Sequence, residues 1–149
     1  METTYLLIGI VLVAVAFGIG LLISRRSGEK KMARAEELAA ELQGLGPIEG
    51  IGLDRLPGRR FDLIVNATAA GLKGQVPQIP DDLLTEGGWC YDMMYGNQPT
   101  AFVRWGQAHG AAKSVDGLGM LVEQAAESFY LWRGVRPDTG PVIRALRRD

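Results

Sequence analysis

The longest apolar run of the chain lies at its N-terminus. No charged residue occurs from Tyr5 to Ile23, and a helix of that length spans the ~30 Å hydrocarbon core of a bilayer. We therefore expect an N-terminal tail over residues 1–4 and a transmembrane helix over residues 5–24. A cleaved signal peptide fits less well, because no basic residue precedes the run and two arginines follow it.

The charges around this run predict how the chain is oriented. Residues 25–31 contain two arginines and two lysines, whereas a single glutamate lies before the run. Basic residues flank membrane helices on the cytoplasmic side. The pattern thus predicts a basic juxtamembrane linker over residues 25–31 and a single-pass membrane protein, with the C-terminal domain in the cytoplasm.

Helical and strand-like patterns alternate over the remaining residues, 32–149. Apolar side chains recur at helical spacing from Met32 to Leu42. Short apolar runs, separated by segments rich in glycine and proline, indicate buried strands. The predicted strands are 48–53, 63–66, 89–93 and 112–115, and the later helical segments are a brief turn near Asp81, then 100–109, 119–132 and 138–148. This alternation favours an α/β domain with a parallel sheet, in which ligands bind at the carboxyl ends of the strands.

Composition narrows the classes of function. A length of 149 residues suits one domain, and 16 basic against 17 acidic side chains give no field that would attract nucleic acid. Cys90 is the only cysteine and His109 the only histidine, so we expect neither an intramolecular disulfide nor a metal site. Cys90 is predicted to be a buried strand residue, and His109 a residue at a helix end.

Polar and glycine residues cluster where the predicted strands end. Two glycines open the apolar helix after the fourth strand, and glycine allows a ligand to approach the backbone closely. The residues expected along one rim of the sheet are Asn66, Thr68, Asp92, Met93, Tyr95, Gly117 and Gln124. Spacing alone leaves a structural alternative open, in which Asn66 and Asp92 cap loops and Met93 and Tyr95 belong to the core.

Several ordered motifs resemble the C-terminal part of the shikimate dehydrogenase family, over residues 32–149. They are Asp62-Leu-Ile-Val-Asn-Ala-Thr68, Trp89-Cys-Tyr-Asp-Met-Met-Tyr95, Pro99-Thr-Ala-Phe102, Asp116-Gly-Leu-Gly-Met-Leu-Val-Glu-Gln-Ala-Ala126 and Trp132-Arg-Gly-Val-Arg-Pro137. The family reduces 3-dehydroshikimate to shikimate with NADPH, in aromatic amino-acid biosynthesis (the chorismate pathway). The resemblance implies a partial Rossmann-like sheet with flanking helices.

The resemblance also implies roles for six of the rim residues. Tyr95 and Gln124 match positions that contact the substrate. Met93 and Gly117 match positions at the nicotinamide half of the cofactor. Asn66 and Thr68 lie at the strand end that borders the cofactor in the family.

The chain departs from the family upstream of Met32. We find no strand followed by the glycine-rich turn that binds the pyrophosphate, and Glu29-Lys30-Lys31 stands where the family has Asn-Arg-Thr for the 2′-phosphate. The N-terminal domain with its proton-transferring lysine and aspartate is also missing from this sequence. We therefore expect no catalytic residue, weak or lost NADP binding, and a truncated, membrane-anchored oxidoreductase that is inactive alone.

Two other interpretations stay open at this stage. The chain could be a non-enzymatic, membrane-anchored binding or scaffold protein that docks on a complete dehydrogenase, or it could be a gene-fusion remnant. A sheet without its first βαβ unit would leave an edge and an apolar face uncovered, which a homo-oligomer, a partner or the membrane could cover.

Overall fold

The computed structural model describes residues 13–16, 19–22 and 28–147. The strands are β1 (Val13–Ala16), β2 (Ile19–Leu22), β3 (Ile48–Gly50), β4 (Phe61–Asn66), β5 (Leu84–Asp92) and β6 (Lys113–Val115). The helices are α1 (Gly28–Glu41), α2 (Ala101–Ala108), α3 (Leu118–Arg133) and α4 (Gly140–Leu146). Short 3-10 turns lie at Gln43–Leu45, Leu53–Arg55 and Ala69–Lys73.

The strands form two three-stranded sheets, β1-β2-β3 and β4-β5-β6. β2 pairs parallel to β3, and β4, β5 and β6 are parallel to one another, whereas β1 runs antiparallel to β2. β1 lies beside β4, closer than the ~10 Å that separates sheets stacked face to face. The strands therefore lie side by side in the order β3-β2-β1-β4-β5-β6.

The transmembrane helix predicted over residues 5–24 is wrong. Where the structure describes this segment, it forms the strands β1 and β2, and residues 5–12, 17–18 and 23–24 lie outside the described residues. No helix in residues 28–147 is long and apolar enough to cross a bilayer. An uncharged run is also typical of strands buried inside a parallel sheet. The predicted single-pass membrane location depended on this helix, and it is therefore wrong as well.

The other elements agree with the sequence pattern, with two differences. α1, α2, α3 and α4 overlap their predicted segments, and so do β3, β4 and β6. The predicted helical turn near Asp81 is only a turn, and β5 begins at Leu84, five residues before its predicted start. The added part of the strand contains Gly87 and Gly88, and the φ of 78° at Gly87 suits glycine.

The core lies between α2 and the β4-β5-β6 sheet. Its largest fully buried apolar side chains are Phe102, Leu56 and Leu83. Cys90 and His109 occupy the predicted places, since Cys90 is buried on β5 and His109 follows the last residue of α2. α2 packs close to the sheet because Gly106 faces Cys90, where a Cβ would lie 2.8 Å from the thiol sulfur. This packing fixes the carboxyl ends of β4, β5 and β6 at one edge.

Candidate functional site at the strand ends

A buried hydrogen-bond network joins the carboxyl ends of β4 and β5. The side-chain amide of Asn66 donates to Asp92 Oδ1 at 3.0 Å, and the Asn66 side-chain oxygen accepts from the backbone and hydroxyl of Thr68 at 3.1 and 2.8 Å. Asn66 and Asp92 are fully buried. The backbone N–H of Met93 also donates to the carbonyl oxygen of Asn66 at 2.9 Å. The two strand ends are therefore held in one arrangement.

Asp92 extends this network to α2. Its Oδ1 also accepts from the Met94 backbone at 3.1 Å, and its Oδ2 accepts from the Thr100 hydroxyl at 2.5 Å. Thr100 in turn caps α2 by accepting from Val103 N. Burial raises the pKa of Asp92, and these hydrogen bonds offset part of the increase. The carboxylate therefore fastens three segments and offers no oxygen to solvent.

The turn between β6 and α3 lies against the end of β5. The N–H of Gly117 donates to the carbonyl oxygen of Met94 at 3.0 Å. A Cβ on Gly117 would lie 2.2 Å from the carbonyl oxygen of Met93. That distance is too short for any side chain to be accommodated. Only glycine permits this approach of two backbones.

Met94 covers the neighbouring loop on the other side. A Cβ on Gly71, which lies in the 3-10 turn after β4, would be 2.9 Å from Cγ of Met94. The turns after β4, β5 and β6 therefore meet around Met93 and Met94. Asn66, Thr68, Met93 and Gly117, all predicted rim residues, are brought together here.

Tyr95 and Gln124 differ from the other predicted residues. Tyr95 directly follows this cluster and is 48% exposed, so its ring faces solvent. Gln124 is exposed on α3, seven residues after Gly117, which is about 10 Å along a helix axis. The structure therefore leaves Tyr95 beside the rim and Gln124 farther along α3.

The structure adds two residues that the sequence analysis did not place at the rim. Thr100 was predicted only to begin a helix, although threonine before an apolar helix is a common cap that could have indicated its role. Arg147 forms a two-pronged ion pair with Asp116, at 2.5 and 2.6 Å. No local pattern signals a pair between residues that lie 31 positions apart.

A shallow groove elsewhere is not part of this site. It has a volume of about 250 Å³ and lies between α1 and β3, lined by Ala39, Ile48 and Gly50 among others. It contains none of the strand-end residues. The rim is therefore the candidate ligand site, because it offers backbone groups, neutral polar side chains and a solvent-facing phenol.

Strand order and rim define the class of protein. The order β3-β2-β1-β4-β5-β6 is that of the Rossmann fold, which binds dinucleotides at the carboxyl ends of its strands. One difference is that β1 and β2 are antiparallel and only two residues apart, which leaves no room for the usual crossover helix.

Comparison with known proteins identifies the family. Residues 117–147 match the model of the shikimate 5′-dehydrogenase C-terminal domain. The chain is 62% identical over 125 residues to the NADP(+) shikimate dehydrogenase of Thioalkalivibrio sulfidiphilus, covering 84% of this chain and 44% of the relative. It is 60% identical over 120 residues to that of Alkalilimnicola ehrlichii, covering 80% and 44%.

Solved structures agree with the sequence relatives. An Ael1 enzyme from Pseudomonas putida superposes with a TM-score of 0.71 at 40% identity, covering 85% of this chain and 44% of the other. Shikimate 5-dehydrogenase from Thermus thermophilus, solved with NADP(H) and shikimate, superposes with a TM-score of 0.67 at 31% identity, covering 86% and 45%. The chain belongs to the shikimate dehydrogenase family, whose C-terminal part it matches, and it spans less than half the length of these relatives.

Proposed function

We propose that the chain forms the nicotinamide-side wall of a shikimate dehydrogenase site, with NADP(H) as cofactor and shikimate or 3-dehydroshikimate as ligand. The observation that carries this proposal is the close approach of Gly117 to the Met93 carbonyl, where the absence of a Gly117 side chain leaves backbone exposed to a ligand at the end of β5. A flat ring can approach such a surface closely. The names of the relatives supply the cofactor and the substrate class.

Each rim residue has a role in this proposal. Met93 and Gly117 contact the nicotinamide half of the cofactor, while Asn66 and Thr68 support the strand end that borders it. Tyr95 binds the ring acid through its phenol group. Gln124 binds the same ligand through its amide, and both groups donate and accept hydrogen bonds without adding charge.

The same geometry argues against turnover by the described rim alone. Carbonyl reduction needs a proton as well as a hydride, delivered by a positioned acid. Asp92 is fully buried with both oxygens hydrogen-bonded, and Asp116 is paired with Arg147. Neither carboxyl group is accessible to a ligand. We therefore propose a binding surface that contributes no catalytic residue.

Binding of NADPH tests the cofactor part of the proposal. Wild-type protein should bind NADPH with the weak affinity expected from the sequence, detected by the change in nicotinamide fluorescence. Gly117→Ala should weaken binding by about a further tenfold or more, because the new methyl group displaces the turn. Gly119→Ala is the matched control, since a Cβ there meets nothing within 4 Å. Absence of binding to folded wild-type protein would refute the cofactor assignment.

A second titration tests the substrate part. Shikimate should shift the NMR signals of the rim, and Tyr95→Phe should weaken that binding. Tyr130→Phe is the control, because Tyr130 is equally exposed but lies on the far half of α3. Oxidation of NADPH by 3-dehydroshikimate should not exceed the rate of the Tyr95→Phe variant, and faster turnover would show that a proton donor has been overlooked.

A further inference from the structure

The segment just before the C-terminal helix α4 makes polar contacts with α3. The Thr139 hydroxyl donates to Glu123 on α3 at 2.5 Å, and Arg136 pairs with Glu123 and Glu127 of the same helix. No residue of α4 is fully buried. These contacts hold α4 to α3, and none of them reaches the sheet.

Arg147, the residue after α4, makes the link to the sheet. Its guanidinium group donates to both oxygens of Asp116, at 2.5 and 2.6 Å. The Asp116 side chain is only 3% exposed, whereas that of Arg147 is 45% exposed. A buried carboxylate loses its hydration and requires a partner, and the planar fork of arginine satisfies both oxygens at once.

Asp116 in turn organises the turn that carries Gly117. Its Oδ1 accepts from Leu118 N at 3.2 Å, the first N–H of α3. The next contact is that of Gly117 N with the Met94 carbonyl oxygen. Burial, with a smaller contribution from the negative charge of Asp116, raises the pKa of Tyr91 and of Asp92. The chain of contacts therefore runs from α4 through Asp116 to the rim.

We propose that Arg147 is a positioning residue, which acts from α4 through Asp116 to hold the Gly117 turn against the end of β5. It contacts no ligand itself. The consequence for binding rests on the proposed function, because the ligand of this turn is taken to be NADP(H). The consequence for the turn itself does not depend on any ligand.

The test uses the full chain and three variants. Arg147→Met keeps the length of the side chain but removes its charge, and Arg147→Lys keeps the charge but removes the fork. Arg144→Met is the matched control, because Arg144 lies on the exposed part of α4 and pairs with no carboxylate in residues 28–147. Hydrogen exchange is measured at the amides of Gly117 and Leu118, together with the NADPH affinity and the urea midpoint.

Loss of a charge-assisted hydrogen bond corresponds to about a tenfold change or more. Arg147→Met should therefore accelerate exchange at Gly117 and Leu118 by about that factor and weaken NADPH binding similarly, with Arg147→Lys in between and Arg144→Met unchanged. Arg147→Lys keeps the comparison possible if Arg147→Met does not fold. A uniform fall in protection across the sheet would indicate global destabilisation and would overturn the proposal.

The two proposals fail in different ways. If wild-type protein binds no NADPH, the proposed function fails, and exchange at Gly117 and Leu118 alone decides the role of Arg147. If wild-type protein binds NADPH, unchanged exchange in Arg147→Met overturns the positioning role. Faster exchange with unchanged NADPH affinity would support the positioning role and overturn the proposed contact of Gly117 with the cofactor.

Discussion

At the scale of single residues, Asp92 shows how one buried carboxylate organises three segments. It accepts hydrogen bonds from Asn66, the Met94 backbone and Thr100. Burial raises its pKa, so the folded protein retains this proton to a higher pH than the unfolded chain does. The stability contributed by the protonated group is therefore fully present below the pKa of the unfolded aspartate. It is lost as the pH rises through the raised pKa of the folded state.

Substitution of Asp92 tests this linkage. Asp92→Asn should change the free energy of unfolding by less than about 1 kcal/mol, because an amide can still accept from Asn66 and donate to the Thr100 hydroxyl. It should also flatten the decrease in stability between acidic and neutral pH. Asp92→Ala leaves buried donors unpaired and should cost about 2–4 kcal/mol. Urea unfolding over this pH range measures both effects, and an unchanged pH profile in Asp92→Asn would contradict the assignment.

Part of the rim could be predicted from single positions in the sequence. Asn66, Thr68, Met93 and Gly117 lie at strand ends, and the strand ends of a parallel sheet meet at one edge. Asn66 and Asp92 stabilise loops, as the structural alternative predicted, and the role of Asn66 beside a cofactor stays a prediction. Arg147 could not be predicted, because its partner Asp116 is brought near only by the path of α3 and α4.

At the scale of elements, the docking of α2 depends on the absence of a side chain. A Cβ on Gly106 would lie 2.8 Å from the Cβ of Cys90 and 2.7 Å from Ser114 Oγ. Gly106→Ala should therefore push α2 from the sheet and lower the free energy of unfolding by about 1–3 kcal/mol, despite the better helix propensity of alanine.

Gly119→Ala provides the opposite case for the same substitution. Its Cβ would enter open space in the first turn of α3, so alanine should leave stability unchanged or raise it by up to about 1 kcal/mol. Thermal unfolding of the two variants side by side separates packing from propensity. Equal effects of the two substitutions would mean that α2 does not lie as close to β5 as described.

Elements also show where a sequence pattern is ambiguous. A run without charges is typical of both a membrane helix and buried strands, because neither shows a periodic alternation of apolar and polar residues. In the described part of the N-terminal run, β2 lies between β1 and β3, and β1 lies between β2 and β4. Strands with neighbours on both sides can be apolar on both faces. Amphipathic helices such as α1 gave a clearer signal, since their polar side chains return with a period of 3.6 residues.

At the scale of the whole molecule, burial is uneven. Apolar side chains fill the space between α2 and the sheet, whereas the far half of α3 exposes Phe129, Leu131 and Trp132, the last at 80%. Opening of the core between α2 and the sheet should therefore require nearly global unfolding. The end of α3 should contribute little to the free energy of unfolding.

The single cysteine reports on this opening. Cys90 is buried, and burial raises its pKa to about 11, so only about one thiol in a thousand is ionised at pH 8. Iodoacetamide should react slowly with the native protein and rapidly in urea, and the native rate should increase in Gly106→Ala, which disturbs the contact with Cys90. Mass spectrometry measures the alkylation rates. Equal rates for the native and the unfolded protein would show that the core is open.

The antiparallel pairing of β1 with β2 has a consequence for the route of folding. Val13 pairs with Leu22, nine residues later, whereas Leu63 on β4 pairs with Trp89, 26 residues later. A local hairpin closes in about 1–10 μs, and closing a longer loop costs more chain entropy. The hairpin can therefore form before the connection from β4 to β5 through the 3-10 turn Ala69–Lys73 is closed, and it presents β1 as a preformed neighbour on which β4 can assemble.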